Sequence, residues 1–360
     1  MVRRPSSVVH PPRTWLVPPG VNLRTRHAAM TPRPVRFAGL AGLLPGRPVT
    51  AAEIDARLGI EDGWTAAHTG VAIRHHTDGS EMTADVGADV ARAALADAGV
   101  HLKDVGVIVN GSGIVQQPIP CTAALIADRL GPEARGIPAF DVNATCLSFV
   151  TALDVASRML GPERPHALVV GAELGSPGLN PKHRESYGLM GDGAAAAVLS
   201  YSPEGPSAIL ASRMETYADG GAHVGVEGGG TRIPPWKLTP ENHDQFLFRM
   251  DGRRLVQFAL GVAPDFIAGL LGEAGLTMDD VDLVVPHQAS LPALDLLRRK
   301  LEIPEERWFV NVDRVGNTIA ASIPLALHAA VAEGRLRRGQ VALLVGTSAG
   351  FSIGGLAIRY

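Results

Sequence analysis

Ala98-Gly99-Val100, followed by Asp104-Val105-Gly106-Val107-Ile108-Val109, returns later in the chain as Ala274-Gly275-Leu276, followed by Asp280-Val281-Asp282-Leu283-Val284-Val285. The offset is about 176 residues. Within one residue, the same offset lays Ala167-Leu168-Val169-Val170-Gly171 on Ala342-Leu343-Leu344-Val345-Gly346. In each copy a helix ends at glycine, a turn follows and a buried strand begins. Any α/β protein contains such passages, but one offset shared by separate segments points to duplication. The chain therefore reads as two copies of one α/β unit, residues 35–205 and 206–360.

Hydrophobic periodicity extends this reading. Helices are expected at 51–58, 82–98, 121–130, 146–160, 252–274, 291–301 and 323–333. Strands are expected at 105–110, 137–142, 167–171, 194–199, 208–217, 281–286, 308–312, 341–346 and 352–359. Apolar strands alternating with helices give an α/β fold whose sheets are buried on both faces. Residues 1–34, rich in Pro and Arg and without periodicity, are expected to be a disordered tail, with Met30 a possible alternative start. Its only apolar run, Trp15-Leu16-Val17, is too short for a secretory signal. The glycine- and proline-rich stretch 218–246 is expected to form a lid or a tunnel wall.

Composition narrows the function. The chain has 360 residues, of which 46% are hydrophobic, enough for a large core and about two domains. Lys and Arg number 33 against 36 Asp and Glu, so no charge excess points to nucleic acid or a membrane surface. The longest apolar runs, such as 194–199 and 341–345, are strand-sized and far short of a bilayer span. Two cysteines, Cys121 and Cys146, make neither a disulfide framework nor a zinc cluster, which fits a reducing cytoplasm and leaves no metal site indicated.

Three residues carry candidate chemistry. Cys146, in Phe140-Asp141-Val142-Asn143-Ala144-Thr145-Cys146-Leu147-Ser148-Phe149, falls at a strand-to-helix corner. There, helix N–H groups and the macrodipole favour a thiolate, although a small buried cysteine would look the same. His287, in Pro286-His287-Gln288-Ala289-Ser290, closes a buried strand, where open α/β sheets place their sites; a satisfied core histidine is the plainer alternative. Asn317, in Arg314-Val315-Gly316-Asn317-Thr318-Ile319-Ala320-Ala321-Ser322, stands in a glycine-bounded turn where it could equally be a helix cap. A papain-like protease also uses Cys, His and Asn. It needs a different sequence around its cysteine and a disulfide-bearing secreted chain, and the duplication does not fit it.

The ordered set of motifs resembles a known family, the thiolase-like condensing enzymes of the β-ketoacyl-acyl carrier protein synthase III type. The resemblance covers nearly the whole chain from about residue 35. It rests on Trp64 with Thr69-Gly70-Val71 and Arg74, Phe140-Asp141-Val142 before Cys146, and Gly191-Asp192-Gly193-Ala194. It continues through Met250 and Gly252, His287-Gln288-Ala289, Gly316-Asn317-Thr318 with Ala320-Ala321-Ser322, and the carboxyl end 346–355.

The resemblance implies a five-layered αβαβα sandwich, working as a homodimer with no permanently bound cofactor and no metal. Its substrates would be acyl-coenzyme A or acyl-carrier protein and a malonyl thioester. Cys146 would take the acyl group, with its own N–H and one near Ala349-Gly350 as the oxyanion hole. His287 and Asn317 would donate hydrogen bonds to the malonyl thioester as carbon dioxide leaves. By the same resemblance Ile119 gates the neighbouring subunit's tunnel, Trp64 flanks the substrate tunnel, and Arg298-Arg299-Lys300 docks an acidic acyl carrier protein. Departures are His68 in place of the family's Arg near the Trp, and Ser290 and Pro292 after the histidine; they argue against a coenzyme A primer and for a specialised enzyme, as in secondary metabolism. Alternatives are acyl transfer from Cys146 to an alcohol or amine without decarboxylation, and a silent partner subunit, which the intact Cys146, His287 and Asn317 argue against.

Overall fold

The computed structural model describes residues 30–360. The first half runs β1 (Val35–Leu43), β2 (Arg47–Thr50), α1 (Ala51–Leu58), α2 (Trp64–Thr69), β3 (Ile73–His76), α3 (Thr83–Ala98) and β4 (Val105–Asn110). It continues with α4 (Thr122–Leu130), β5 (Ala139–Asp141), α5 (Ser148–Met159), β6 (His166–Glu173), α6 (Arg184–Leu189) and β7 (Gly193–Tyr201). The second half opens with β8 (Ala208–Thr216), β9 (Val224–Gly225), β10 (Arg249–Met250), α7 (Gly252–Glu273) and β11 (Leu283–Pro286). It closes with α8 (Leu291–Lys300), α9 (Val312–Val315), α10 (Ser322–Ala332), β12 (Val341–Ser348) and β13 (Ser352–Arg359).

The repeat becomes two similar sheets, ordered β1-β7-β6-β4-β5 and β8-β13-β12-β11. In each, a parallel pair, β4 with β6 or β11 with β12, is followed by two antiparallel pairings, and the first sheet adds a second parallel pair, β4 with β5. Side chains alternate across each strand. Val107 and Val109 face a central layer, whereas Ile108 between them faces outward. Phe149, Leu153 and Ala156 of α5 and Ile323, Leu327 and Ala330 of α10 fill that layer against Val169 and Leu199 of one sheet and Val285 and Leu344 of the other. Helix α3 covers the outer face of the first sheet through Ala88, Ala91 and Leu95, and α7 and α8 cover the second through Ile267, Leu270 and Leu294. This is the thiolase-like αβαβα sandwich. Helix α7 is the one described helix long and apolar enough, by length and composition, to cross a membrane; its buried face packs on the second sheet instead.

Two expectations change. Residues 308–312 do not form a strand: Trp308 makes a single parallel bridge to Val284. Beyond it the Gln288 amide takes over, donating to the Phe309 carbonyl at 3.1 Å and accepting from Asn311 N–H at 2.9 Å and Val312 N–H at 3.2 Å. The side chain satisfies the backbone that a neighbouring strand would have paired. Of the expected disordered tail, residues 1–29 lie outside the described residues, and 30–34 are held in place. Arg33 bridges Ile209, and its guanidinium meets Asp154 at 2.6 Å and Ser157 at 3.0 Å.

Arg74 is the largest fully buried side chain. Its guanidinium reaches the carbonyls of Val49 (3.4 Å), Val71 (3.2 Å) and Gly188 (2.5 Å), tying the β2–β3 hairpin to α6. Burial lowers its pKa to about 10, so it stays charged at neutral pH. Arg74→Ala should cost about 3–5 kcal/mol, because it strands several buried carbonyls. Arg74→Lys should recover only part, since one ammonium does not span three acceptors. Urea denaturation midpoints of the two variants measure this.

Candidate active site

The corner after β5 is built by short-range hydrogen bonds. Asn143 Oδ1 accepts the Thr145 N–H at 3.0 Å, Ser148 Oγ accepts the Ala144 N–H at 2.9 Å, and Thr145 is forced to a left-handed φ of 52°. One tight turn, Thr145–Leu147, carries Cys146 into α5. The second half repeats the corner. Asn317 Oδ1 accepts the Ile319 N–H at 3.0 Å, Ile319 has φ 53°, and Ile319–Ala321 leads into α10. The two amide groups also make matching bonds, Asn143 Nδ2 to Gly113 O at 3.2 Å and Asn317 Nδ2 to Ala289 O at 3.3 Å. A β-branched residue in this conformation carries strain of about 1–2 kcal/mol.

His287 follows β11, anchored by its N–H to Val345 O at 2.8 Å. A Cβ on Gly346 would lie 2.6 Å from the His287 Cβ, so β12 needs glycine there. His287 Nδ1 is 2.5 Å from Ser322 Oγ, which also accepts the Gln288 N–H at 3.4 Å. Burial pushes the imidazole down to about 4, so it is neutral in the physiological range.

Cys146 is half-buried, and its surroundings correct the thiolate expectation. Burial pushes its thiol up to about 12; Glu173 adds to this, while the N–H groups of Ala349 and of Cys146 itself oppose it. Removal from water outweighs the helix terminus. Glu173, at the end of β6, was not singled out from the sequence. It is fully buried and accepts N–H bonds from Gly113, Ile114 and Ala320; burial raises its carboxyl to about 8. Its signal was a lone carboxylate closing the otherwise apolar run from Ala167 to Ala172.

Cys146, His287, Asn317 and Ala349 line one cavity of about 510 Å³. Its walls are mostly apolar, with a few convergent polar groups at the end that holds Cys146, His287 and Asn317. The space is therefore suited to a ligand. Val224, Val226 and Phe246 bring the 218–246 stretch into its wall.

The remaining expected residues fall elsewhere. Gly350 adjoins the cavity-lining Ala349 with φ 85°. Trp64 is not part of the cavity lining; it stacks on His68 at 4.2 Å, and the Arg184 guanidinium lies 4.5 Å from its ring. That guanidinium comes from α6, whereas His68, in place of the family's Arg, makes the other ring contact of Trp64. Ile119 is 84% exposed and outside the lining. Arg298 and Arg299 share Asp295 at 3.2 and 2.6 Å, and with Lys300 they close α8, whose first turns line the cavity. Among the described residues, no group of three or more His, Cys, Asp or Glu is placed to hold a metal.

Comparison with known proteins agrees with this geometry. Residues 140–220 match the 3-oxoacyl-[acyl-carrier-protein] synthase III family, and residues 271–360 match its C-terminal part. The chain is 35% identical over 327 residues to β-ketoacyl-[acyl-carrier-protein] synthase III of Syntrophomonas wolfei, covering 91% of this chain and 97% of the relative. It is 37% identical over 326 residues to the enzyme of that name from Rhizorhabdus wittichii, covering 89% and 98%. The crystal structure of 3-oxoacyl-[acyl-carrier-protein] synthase III from Aquifex aeolicus superposes with a TM-score of 0.81 at 31% identity, over 91% of this chain and all of that one. The corner that carries Cys146, with His287 and Asn317 on the same cavity, thus sits in a chain that belongs to the 3-oxoacyl-[acyl-carrier-protein] synthase III family of condensing acyltransferases.

Proposed function

We propose that Cys146 carries the acyl group of a decarboxylative Claisen condensation and that His287 and Asn317 stabilise the enolate. The observation that carries this is the meeting of all three in one apolar cavity. The Cys146 sulfur attacks an acyl thioester, the carbon–sulfur bond of the donor breaks, and the proton of Cys146 leaves with the departing thiol. The N–H groups of Cys146 and Ala349, which act to lower the pKa of the thiol, suit the oxyanion, with Gly350 shaping that turn. A malonyl thioester then loses carbon dioxide. Its enolate carbon attacks the acyl carbonyl, and Cys146 is released as a thiolate that regains a proton from water.

The donors must be neutral for this step, since an anionic group beside the enolate would repel it. Ser322 receives the Gln288 N–H, which leaves its own hydroxyl proton to donate to His287 Nδ1. With the Ser322 hydroxyl donating to Nδ1, the ring proton of the neutral imidazole is on Nε2, free to donate. The Ile319 N–H fixes Asn317 Oδ1, so its Nδ2 is the remaining donor.

The finer assignments rest on lesser observations. The Arg298-Arg299-Lys300 cluster exceeds the charge of Asp295 and closes a cavity-lining helix, which suits an acidic acyl carrier protein. Exposed apolar Ile119 suits a homodimer in which it meets the partner's tunnel. Trp64 with Arg184 suits the nucleotide end of a coenzyme A donor. The halves 35–205 and 206–360 would be the structural units, and the two free cysteines suit the cytoplasm.

Intact-protein mass spectrometry with acyl thioesters should show one acyl adduct, lost in Cys146→Ala. An adduct persisting in that variant would contradict the assignment. His287→Ala and Asn317→Ala should still acylate while malonyl decarboxylation falls about 100-fold or more. Ser322→Ala should lower decarboxylation about tenfold and leave acylation near wild type, because only the ring proton is misplaced.

Glu173 is protonated at pH 7 and ionises as pH rises through about 8, opposing the thiolate. Iodoacetamide alkylation of Cys146 should therefore climb by less than about tenfold per pH unit above pH 8. Glu173→Gln should restore the full slope. Identical profiles would show that the carboxyl does not act on the thiol.

A further inference from the structure

Glu173 closes β6, a strand held between β4 and β7 in the middle of the first sheet. Its carboxyl is wholly buried, a placement that costs free energy and so calls for a compensating task. Three backbone N–H groups reach it. Those of Gly113 and Ile114 bond to its two oxygens at 2.5 and 3.0 Å, and that of Ala320 is the third. All three are donors, so they need acceptors on both oxygens, which a carboxyl offers and an amide does not.

These bonds lead to both corners of the site. The Gly113 carbonyl accepts from Asn143 Nδ2 at 3.2 Å, and Asn143 is the residue that turns the chain toward Cys146. Ala320 directly follows the left-handed Ile319 in the corner of Asn317. Gly113 itself is wedged between the corners: a Cβ there would stand 3.0 Å from Ile319 Cγ2 and 3.1 Å from the Thr145 carbonyl oxygen. Behind it, a Cβ on Gly175 would stand 3.0 Å from both Ile114 Cδ1 and Ile319 Cδ1. One buried carboxyl at the end of a rigid strand thus ties two turns that lie far apart in the sequence.

Resting on the acyl-enzyme reading above, we propose that Glu173 is a positioning residue that fixes the spacing between the Cys146 corner and the Asn317 corner, and thereby decides whether the enolate forms within reach of the acyl carbon. Loading uses Cys146 and the N–H groups around it, and decarboxylation uses His287 and Asn317; bond formation alone needs both corners in register. A spacing error on the order of 1 Å costs about 100-fold in such a step. An enolate held out of reach takes a proton from water and leaves as the acetyl thioester, with the acyl group still on Cys146. This task is separate from the effect of the carboxyl on the thiol, because it depends on where the oxygens lie rather than on their charge.

The test mixes pre-acylated enzyme with malonyl-acyl carrier protein and counts carbon dioxide, β-ketoacyl product and acetyl-acyl carrier protein. It compares wild type with Glu173→Asp, which keeps the carboxyl on a side chain one methylene shorter, and with Gly113→Ala, which presses on both corners from the other side. Acylation of each variant reports that it folds. Wild type should give about one product per carbon dioxide, Glu173→Asp about 0.1 or less and Gly113→Ala about 0.5 or less, with acetyl-acyl carrier protein making up the difference. A ratio that stays at one in either folded variant, however slow the reaction, is what a merely structural role would give; it would overturn the inference and leave the acyl-enzyme reading standing. No acyl adduct on wild type would overturn the acyl-enzyme reading and this one with it.

Discussion

The site depends on one local constraint used twice: an asparagine side-chain oxygen captures the N–H two residues on and turns the intervening chain into a helix through a left-handed residue. Asn143 does this before α5 and Asn317 before α10. Because α5 and α10 share the central layer, with a sheet on each side, the two corners open into the same cavity. The strain at Thr145 and Ile319 is held by the packing of that layer. Duplication therefore supplies more than a scaffold. At these corners the first half offers Cys146, three residues after its Asn, and the second offers Asn317 itself, and where the first half has Gly111 the second has His287. A symmetric frame has become an asymmetric pair of tools.

Depth in the molecule sets the electrostatics. With sheets on both sides, charge is expensive at the site, and each titratable group there is driven toward neutrality: His287 downward, Cys146 and Glu173 upward. Such a site is poorly suited to holding a resting thiolate. It suits hydrogen-bond donors that wait, already oriented and uncharged, for negative charge to appear on a substrate. Ser322, Gln288 and the Ile319 N–H do that orienting, so the donors depend on neighbours that belong to the same repeated corner.

The frame was legible because duplication leaves a common offset and because buried strands are apolar throughout. Strands β4 and β13 and helix α1 fall on the expected bounds, and most other elements differ only at their ends. The motifs singled out Cys146, His287 and Asn317, which the fold brings to one cavity. The strand expected at 308–312 failed because the Gln288 side chain claims its backbone, a contact that no period reveals. The β2–β3 hairpin and α6 are short and mixed in character, and they are tied in by the buried Arg74 rather than by an apolar stripe. Glu173 and the cation beside Trp64 were missed for a related reason. Each acts on a residue distant in sequence, Glu173 on Cys146 and Arg184 on Trp64, and their roles exist only once the sheets and α6 are placed. The part of α7 that lines the cavity escaped notice for the same reason, since periodicity marks an apolar stripe without telling whether a core or a void faces it.

The central claim is that the enolate left by decarboxylation of the malonyl thioester takes the acyl group from Cys146. A single-turnover experiment tests this most directly: the pre-acylated enzyme is mixed with malonyl-acyl carrier protein, and carbon dioxide, residual acyl-enzyme and β-ketoacyl product are measured in the same quenched samples. The account predicts that all three change together, one carbon dioxide and one product for each acyl group lost. Discharge of the acyl group to an alcohol or amine with no carbon dioxide, or carbon dioxide release without product from the enzyme, would contradict it.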